Sequence, residues 1–146
     1  MSKSDSLENG LLLLIFNNTN FANVGDATGL RGSTVAGSLY ISLHTADPGE
    51  AGTQLTSEIT YTSYARVAVA RSAAGFTVSG SSVNFTAAVN FPAGTGGAGT
   101  ATHVGIGTAA TGAGVLLYSG TITPNIVCGN GVTPQLTTAA GLVTED

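Results

Sequence analysis

The chain has 146 residues, the length of a single domain, and charged residues make up only 8% of it. That share is about a third of the ~25% usual for globular domains. The four basic residues and the net charge of −4 exclude a basic surface for nucleic acid, and the one cysteine excludes an intrachain disulfide framework.

A short amphipathic helix is predicted for residues 4–16. Ser4 or Ser6 can cap its free N–H groups, and Asp5 and Glu8 lie near the positive end of the helix dipole. Four apolar side chains share one face at helical spacing: Leu7, Leu11, Leu14 and Ile15. The apolar run is too short to span a bilayer, so no membrane contact is expected.

The apolar surface of this helix is broader than a surface helix needs, because further leucines and a phenylalanine flank the face. Two interpretations are open. The helix either packs against the sheet of its own domain or docks on a neighbouring subunit. For the docking interpretation, the candidate partner-contact residues are Leu11, Leu12, Leu14, Ile15 and Phe16.

Short β segments are predicted through the rest of the chain, after a glycine-rich loop over residues 17–37. They cover residues 39–44, 64–71, 75–78, 82–85, 88–91, 100–107, 115–123 and 135–138. Such spacing predicts an all-β fold: an antiparallel β-sandwich, with a jelly roll as one form of it, and one short N-terminal helix. We expect a single β-rich domain over residues 1–146, with a helical segment over 1–17 and the sandwich over 38–146.

Charges are unevenly distributed along the chain. No Asp, Glu, Lys or Arg occurs between Ser72 and Thr144. Soluble monomers usually keep charges on their surface, in part to prevent strand edges from pairing. This half is therefore either covered by partners in a fixed assembly or solvated through Thr and Ser alone. The two arginines beyond position 31 are expected to pair with loop acids, as Arg66 or Arg71 with Glu50 or Glu58.

No pattern of residues predicts a reaction. His44 and His103 have no Cys or acid at metal-ligand spacing, so no metal site is expected. Ser42 and His44 lie two apart on one strand, which points both to one face without directing either at the other. Cys128 is expected to be a small buried thiol, and residues 94–99 match G-x-G-x-x-G without a following helix. We expect no enzyme activity, catalytic residue, cofactor or small-molecule substrate.

Six segments between residues 4 and 136 carry a resemblance to a known family. They are Ser4–Leu12 (SDSLENGLL), Leu39–Glu50 (LYISLHTADPGE), Tyr64–Val69 (YARVAV), Val83–Ala88 (VNFTAA), Thr102–Ile106 (THVGI) and Gly131–Leu136 (GVTPQL). In this order they resemble segments of small virion proteins of tailed bacteriophages, whose members are called tail-fibre, minor structural or capsid-associated proteins. The resemblance implies a structural part of the virion. It implies no catalytic residues.

Two functional hypotheses follow from this resemblance and from the uncharged half. The first is a capsid decoration, or cement, protein on the outer capsid surface that bridges and stabilises capsid subunits through many weak contacts repeated by symmetry. Its partners would be the major capsid protein and other copies of itself, as a dimer or trimer. The alternative is a tail-fibre or tail-adaptor component. In both cases the protein is made in the host cytoplasm and ends in the virion.

Overall fold

The computed structural model describes residues 2–138 and 142–145. Within them the chain forms one α-helix and nine β-strands. The helix is α1 (Asp5–Asn17), and the strands are β1 (Ser38–His44), β2 (Val67–Ala70), β3 (Phe76–Ser79), β4 (Ser82–Phe85), β5 (Val89–Asn90), β6 (Ala98–Gly107), β7 (Leu116–Gly129), β8 (Gln135–Leu136) and β9 (Val143–Thr144). The predicted class, all-β and sandwich-like with one N-terminal helix, is confirmed.

The strands form three sheets. The largest has the order β2-β1-β6-β7, the second β3-β4-β9, and the third consists of β5 and β8. The pairs β1–β6, β6–β7, β3–β4, β4–β9 and β5–β8 are all antiparallel. In the largest sheet β7 is therefore an edge strand.

The contacts divide the chain into two compact units, and neither is a continuous stretch of sequence. Unit 1 consists of Met1–Ser38, Val69–Ala88 and Thr137–Asp146. Unit 2 consists of Leu39–Ala68 and Val89–Leu136. The chain thus passes from one unit to the other four times. The single domain over residues 1–146 stays a prediction.

In unit 1, α1 packs on the hairpin of β3 and β4. Phe16 of the helix meets Phe76 of β3 edge-to-face, with ring centroids 5.0 Å apart, and Phe76 in turn lies 5.8 Å from Phe85. Leu12, Phe16 and Phe76 have no exposed surface. Such aromatic pairs contribute stability beyond the apolar area they bury. This apolar contact places the helix in the unit's core.

The buried face of α1 differs from the predicted one. Glu8, Leu12 and Phe16 are its buried residues, spaced four apart, whereas Leu7, Leu11, Leu14 and Ile15 are all partly exposed. The predicted face was wrong because the large Phe16 ring and its partner Phe76 decide the rotation of the helix. Gly10 lies on another side, where a Cβ atom would come within 2.8 Å of the Phe21 ring. The glycine lets that ring lie against the helix.

Arg71 stabilises the C-terminal end of α1, instead of pairing with Glu50 or Glu58 as predicted. Its Nε donates to the carbonyl of Ile15 and its Nη2 to that of Leu14, both at 2.6 Å. The last carbonyls of a helix have no partner within the helix and carry its negative dipole, so a guanidinium there is favourable. The pairing prediction for Arg71 was therefore wrong.

In unit 2, β1 and β6 form the centre of the core. Ile41 pairs with Ile106, and Leu43 pairs with Val104. Ile41, Leu43 and Ile106 are at most 2% exposed. The neighbouring ladder of β6 with β7 is irregular, because His103 pairs with Thr121 but Ala101 pairs with Ile126. Residues 122–125 of the edge strand therefore lie outside the ladder.

Candidate assembly interface

A groove runs along the first half of β7 in unit 2. It has a volume of about 460 Å³. Its lining comprises a turn with two carboxylates, one histidine and a run of strand residues: Asp47, Gly49, Glu50, His103 and Leu116–Thr121. Gly49 has a φ of 69°, and its N–H donates to Asp47 Oδ1 at 2.9 Å. The turn therefore fixes the Asp47 carboxylate, and Glu50 follows it along the same side of the groove.

The outer edge of β7 has no strand partner among the described residues. The strand is 14 residues long and contains no charged side chain. Leu117 is 39% exposed and Val127 is 68% exposed. Long edges of this kind present free N–H and C=O groups, and proteins that must stay monomeric usually protect them with charges, prolines or short strands. Here only Pro124, outside the regular ladder, offers such protection, so the Leu116–Thr121 stretch is suited to contact with another chain.

The two groove carboxylates are the unpaired charges of unit 2. That unit holds only four charged residues, and all of it is described. Glu58 and Arg66 pair with each other, with Nε 2.7 Å from Oε1 and Nη2 2.8 Å from Oε2. Asp47 and Glu50 remain. The groove therefore carries the unit's whole net negative charge.

The Glu58–Arg66 pair joins three parts of unit 2. The Arg66 side chain is only 2% exposed, and its guanidinium also donates to the carbonyls of Ala109 and Gly112. The Tyr64 hydroxyl donates to Glu58 at 2.9 Å and accepts the Leu43 N–H at 3.0 Å. The predicted pairing of Arg66 with a loop acid is confirmed, with Glu58 as the acid. The pair fixes the loop before β2 to the loop between β6 and β7.

Ser42 and His44 form a hydrogen bond, although the sequence predicted that neither is directed at the other. Their Oγ and Nε2 atoms are 2.8 Å apart, and His44 Nδ1 lies 2.8 Å from the Thr56 carbonyl. A carbonyl only accepts, so Nδ1 carries the proton and Ser42 donates to Nε2. The prediction was wrong because Gly105, opposite Ser42 on the neighbouring strand, has no side chain to keep the two groups apart; a Cβ there would be 2.6 Å from both atoms. Both side chains are fully buried.

Acid is expected to destabilise the protein through His44. Burial lowers the pKa of this imidazole below its ordinary value of about 6.5, with a smaller opposing effect of the Thr56 hydrogen bond and of Glu58. The unfolded chain then takes up a proton that the folded chain excludes, so stability is complete above about pH 6.5 and falls as the pH drops toward the folded pKa. Urea unfolding at neutral pH and about one unit below 6.5 measures this.

A matched pair of histidine variants isolates the effect. His44→Gln should flatten the pH dependence in that range, whereas His103→Gln should keep it, because it leaves the buried His44 imidazole and its hydrogen bonds in place. An unchanged slope in His44→Gln would show that another group titrates there.

The predicted partner-contact residues of α1 fall into two classes. Leu12 and Phe16 have no exposed surface, so neither can meet a partner while unit 1 is folded. For these two the structure corrects the prediction, because their side chains fill the chain's own core. Leu11, Leu14 and Ile15 are partly exposed, and their contact with a partner stays a prediction.

The other sequence candidates have structural explanations. A Cβ at Gly94 would lie 2.1 Å from the Gly129 carbonyl oxygen, so the glycine-rich segment permits two backbones to approach closely, and a strand, not a helix, begins within it at Ala98. Cys128 is buried, and burial raises the pKa of its thiol. Among the described residues no three His, Cys, Asp or Glu side chains cluster as metal ligands, and no helix there could cross a bilayer.

Comparison with known proteins gives one family. Residues 2–141 match the family model described as Gp80, podophage GP4 fiber I protein gp80. The chain belongs to this family. No curated protein shows a significant match. The family makes the chain a structural component of a bacteriophage virion, as the sequence motifs implied.

The groove along β7 was missed by the sequence reasoning. Its strand was predicted only to Thr123, but β7 continues to Gly129, and no sequence pattern placed Asp47 and Glu50 beside that strand. One feature of the sequence could have indicated the groove. Once Glu58 is paired with Arg66, Asp47 and Glu50 are the remaining charges in a long stretch of neutral sequence, and isolated charges of one sign mark a surface for a cationic group.

Proposed function

We propose that the chain is a subunit of a tail fibre of the virion and that it assembles through contacts between its own copies. The observation that carries this proposal is the β7 edge, with its long uncharged strand and adjoining groove in unit 2. The family's description, which names a fibre protein, supports the tail over the head. The role is structural and uses no reaction, cofactor, nucleic acid or membrane.

Capsid decoration is the second candidate. It is favoured by the absence of charge from Ser72 to Thr144, because surfaces permanently covered by capsid subunits need no charge for solubility. In that role the chain lies on the outer capsid surface and bridges copies of the major capsid protein. The helix residues Leu11, Leu14 and Ile15 would then be available as additional contacts.

Locating the chain on intact virions tests both candidates. Antibody-gold labelling or cryo-electron microscopy should place the chain on the tail if it is a fibre subunit. Regular density between capsid subunits over the head would contradict the fibre proposal and support decoration. In that case particles lacking the chain should burst on heating or in low salt. Virions without any signal would contradict both.

A further inference from the structure

Arg31 is the free cation of the described chain. The other three basic side chains are engaged: Lys3 with Glu145, Arg66 with Glu58, and Arg71 with the end of α1. Arg31 is exposed, and the structure gives it no ion pair or side-chain hydrogen bond with any described residue. An exposed guanidinium with no partner is available to an acidic surface on another molecule.

The loop that carries Arg31 is held in one conformation. The N–H of Gly32 donates to Asn20 Oδ1 at 2.9 Å, and that of Ser33 donates to Asn18 Oδ1 at 2.6 Å. Arg71 Nη1 donates to Ser33 Oγ at 2.9 Å. Val35, four residues beyond Arg31, is 78% exposed. The loop therefore presents one cation and one apolar side chain from a backbone that needs little further ordering on binding.

The groove along β7 offers the complementary features. Asp47 and Glu50 provide the unpaired negative charge of unit 2, and Leu117 provides exposed apolar surface beside them. The lining contains no lysine or arginine that would repel a guanidinium. Charge complementarity of this kind fixes orientation and partner choice more than it adds affinity.

We propose that the Arg31 loop of one copy docks in the β7 groove of a second copy, with the guanidinium between Asp47 and Glu50 and Val35 against Leu117. This proposal rests on the proposed self-assembly of the chain. The contact joins two different surfaces, so it is head-to-tail, and repetition produces a closed ring or an open filament. Each contact is weak and sensitive to salt, and its strength comes from repetition.

Charge reversal tests the contact on the full-length chain. Arg31→Glu alone, or Asp47→Arg with Glu50→Arg, should weaken self-association at low salt by about tenfold or more, because each places like charges together. Combining all three substitutions should restore association, since the charges become complementary again. Analytical ultracentrifugation over a range of concentrations measures this. Asp5→Arg, on an exposed acid of α1, gives the same change in net charge as the triple variant and therefore controls for net charge in that comparison.

A mixing experiment tests the head-to-tail geometry. The Arg31→Glu chain retains an intact groove, and the doubly reversed chain retains an intact Arg31 loop. Mixed in equal amounts they should co-assemble in alternation and grow as the wild type does, because the intact loop meets the intact groove at one contact and the two reversed surfaces meet at the next. Each variant alone should stay monomeric. Association that is unaffected by Arg31→Glu, or a triple variant no better than its parents, would overturn the contact. A monomeric wild-type chain would also overturn it, and virion labelling decides the tail location separately.

Discussion

Glu58→Ala is expected to lower the free energy of unfolding by about 3–5 kcal/mol, because removal of one partner leaves a buried charge uncompensated. The Arg66 side chain is only 2% exposed, and both of its contacts with the Glu58 carboxylate would be lost. The Tyr64 hydroxyl would lose its acceptor as well. Urea denaturation at high ionic strength measures the loss with exposed charges screened.

Two further variants separate the buried charge from the volume removed. Adding Arg66→Met to Glu58→Ala should recover part of the lost stability, because the double variant has no unpaired charge to bury. Glu50→Ala removes the same side chain from an exposed turn in the same unit and should change stability by less than about 0.5 kcal/mol. Equal effects of Glu58→Ala and Glu50→Ala would contradict the structural role of the pair.

Leu12→Ala is expected to cost about 2–5 kcal/mol, the usual range for a leucine without exposed surface. The side chain lies in the core between α1 and the β3–β4 hairpin, so its removal leaves a cavity. Leu14→Ala is the matched control, since it makes the same chemical change on the same helix at a partly exposed position. Thermal or urea unfolding of both variants should show a clearly smaller loss for Leu14→Ala.

The same pair separates folding from docking. If α1 also contacts a partner in the virion, Leu14→Ala should reduce incorporation into particles with little loss of stability. Deleting the first 16 residues cannot make this distinction, because it removes Leu12 and Phe16 from the core of unit 1 together with any contact surface. A Leu12→Ala variant as stable as wild type would show that the helix is peripheral to the fold.

Short-range sequence patterns correctly predicted those helices and strands that are determined by neighbouring residues. The helix was predicted at 4–16 and found at Asp5–Asn17, and β4 was predicted at its observed bounds, Ser82–Phe85. Such segments are determined by the apolar periodicity within them and by turn residues a few positions away. The predicted strand over 64–71 was too long at its start, because Tyr64 and Arg66 are held by Glu58 before the strand begins at Val67.

Features that depend on distant residues were not predictable. Arg71 contacts carbonyls more than fifty positions earlier in the chain, and no pattern near Arg71 distinguishes this from an ion pair. The short strand β9 exists because Val143 pairs with Val83, and a two-residue strand has no periodicity of its own. The rotation of α1 likewise depended on Phe76, which the helix sequence does not contain.

The discontinuous units have a consequence for the timing of synthesis. Val143 pairs with Val83, and Ile106 pairs with Ile41, each about 60 residues apart along the chain. Strands so far apart in the sequence pair slowly. The chain must first close a long loop at a cost in entropy, and only then can the contacts that offset this cost form. The strand β9 is synthesised about 60 residues after its partner β4, so unit 1 cannot complete this sheet until that stretch has been translated. Until then the β4 edge stays open to neighbouring nascent chains.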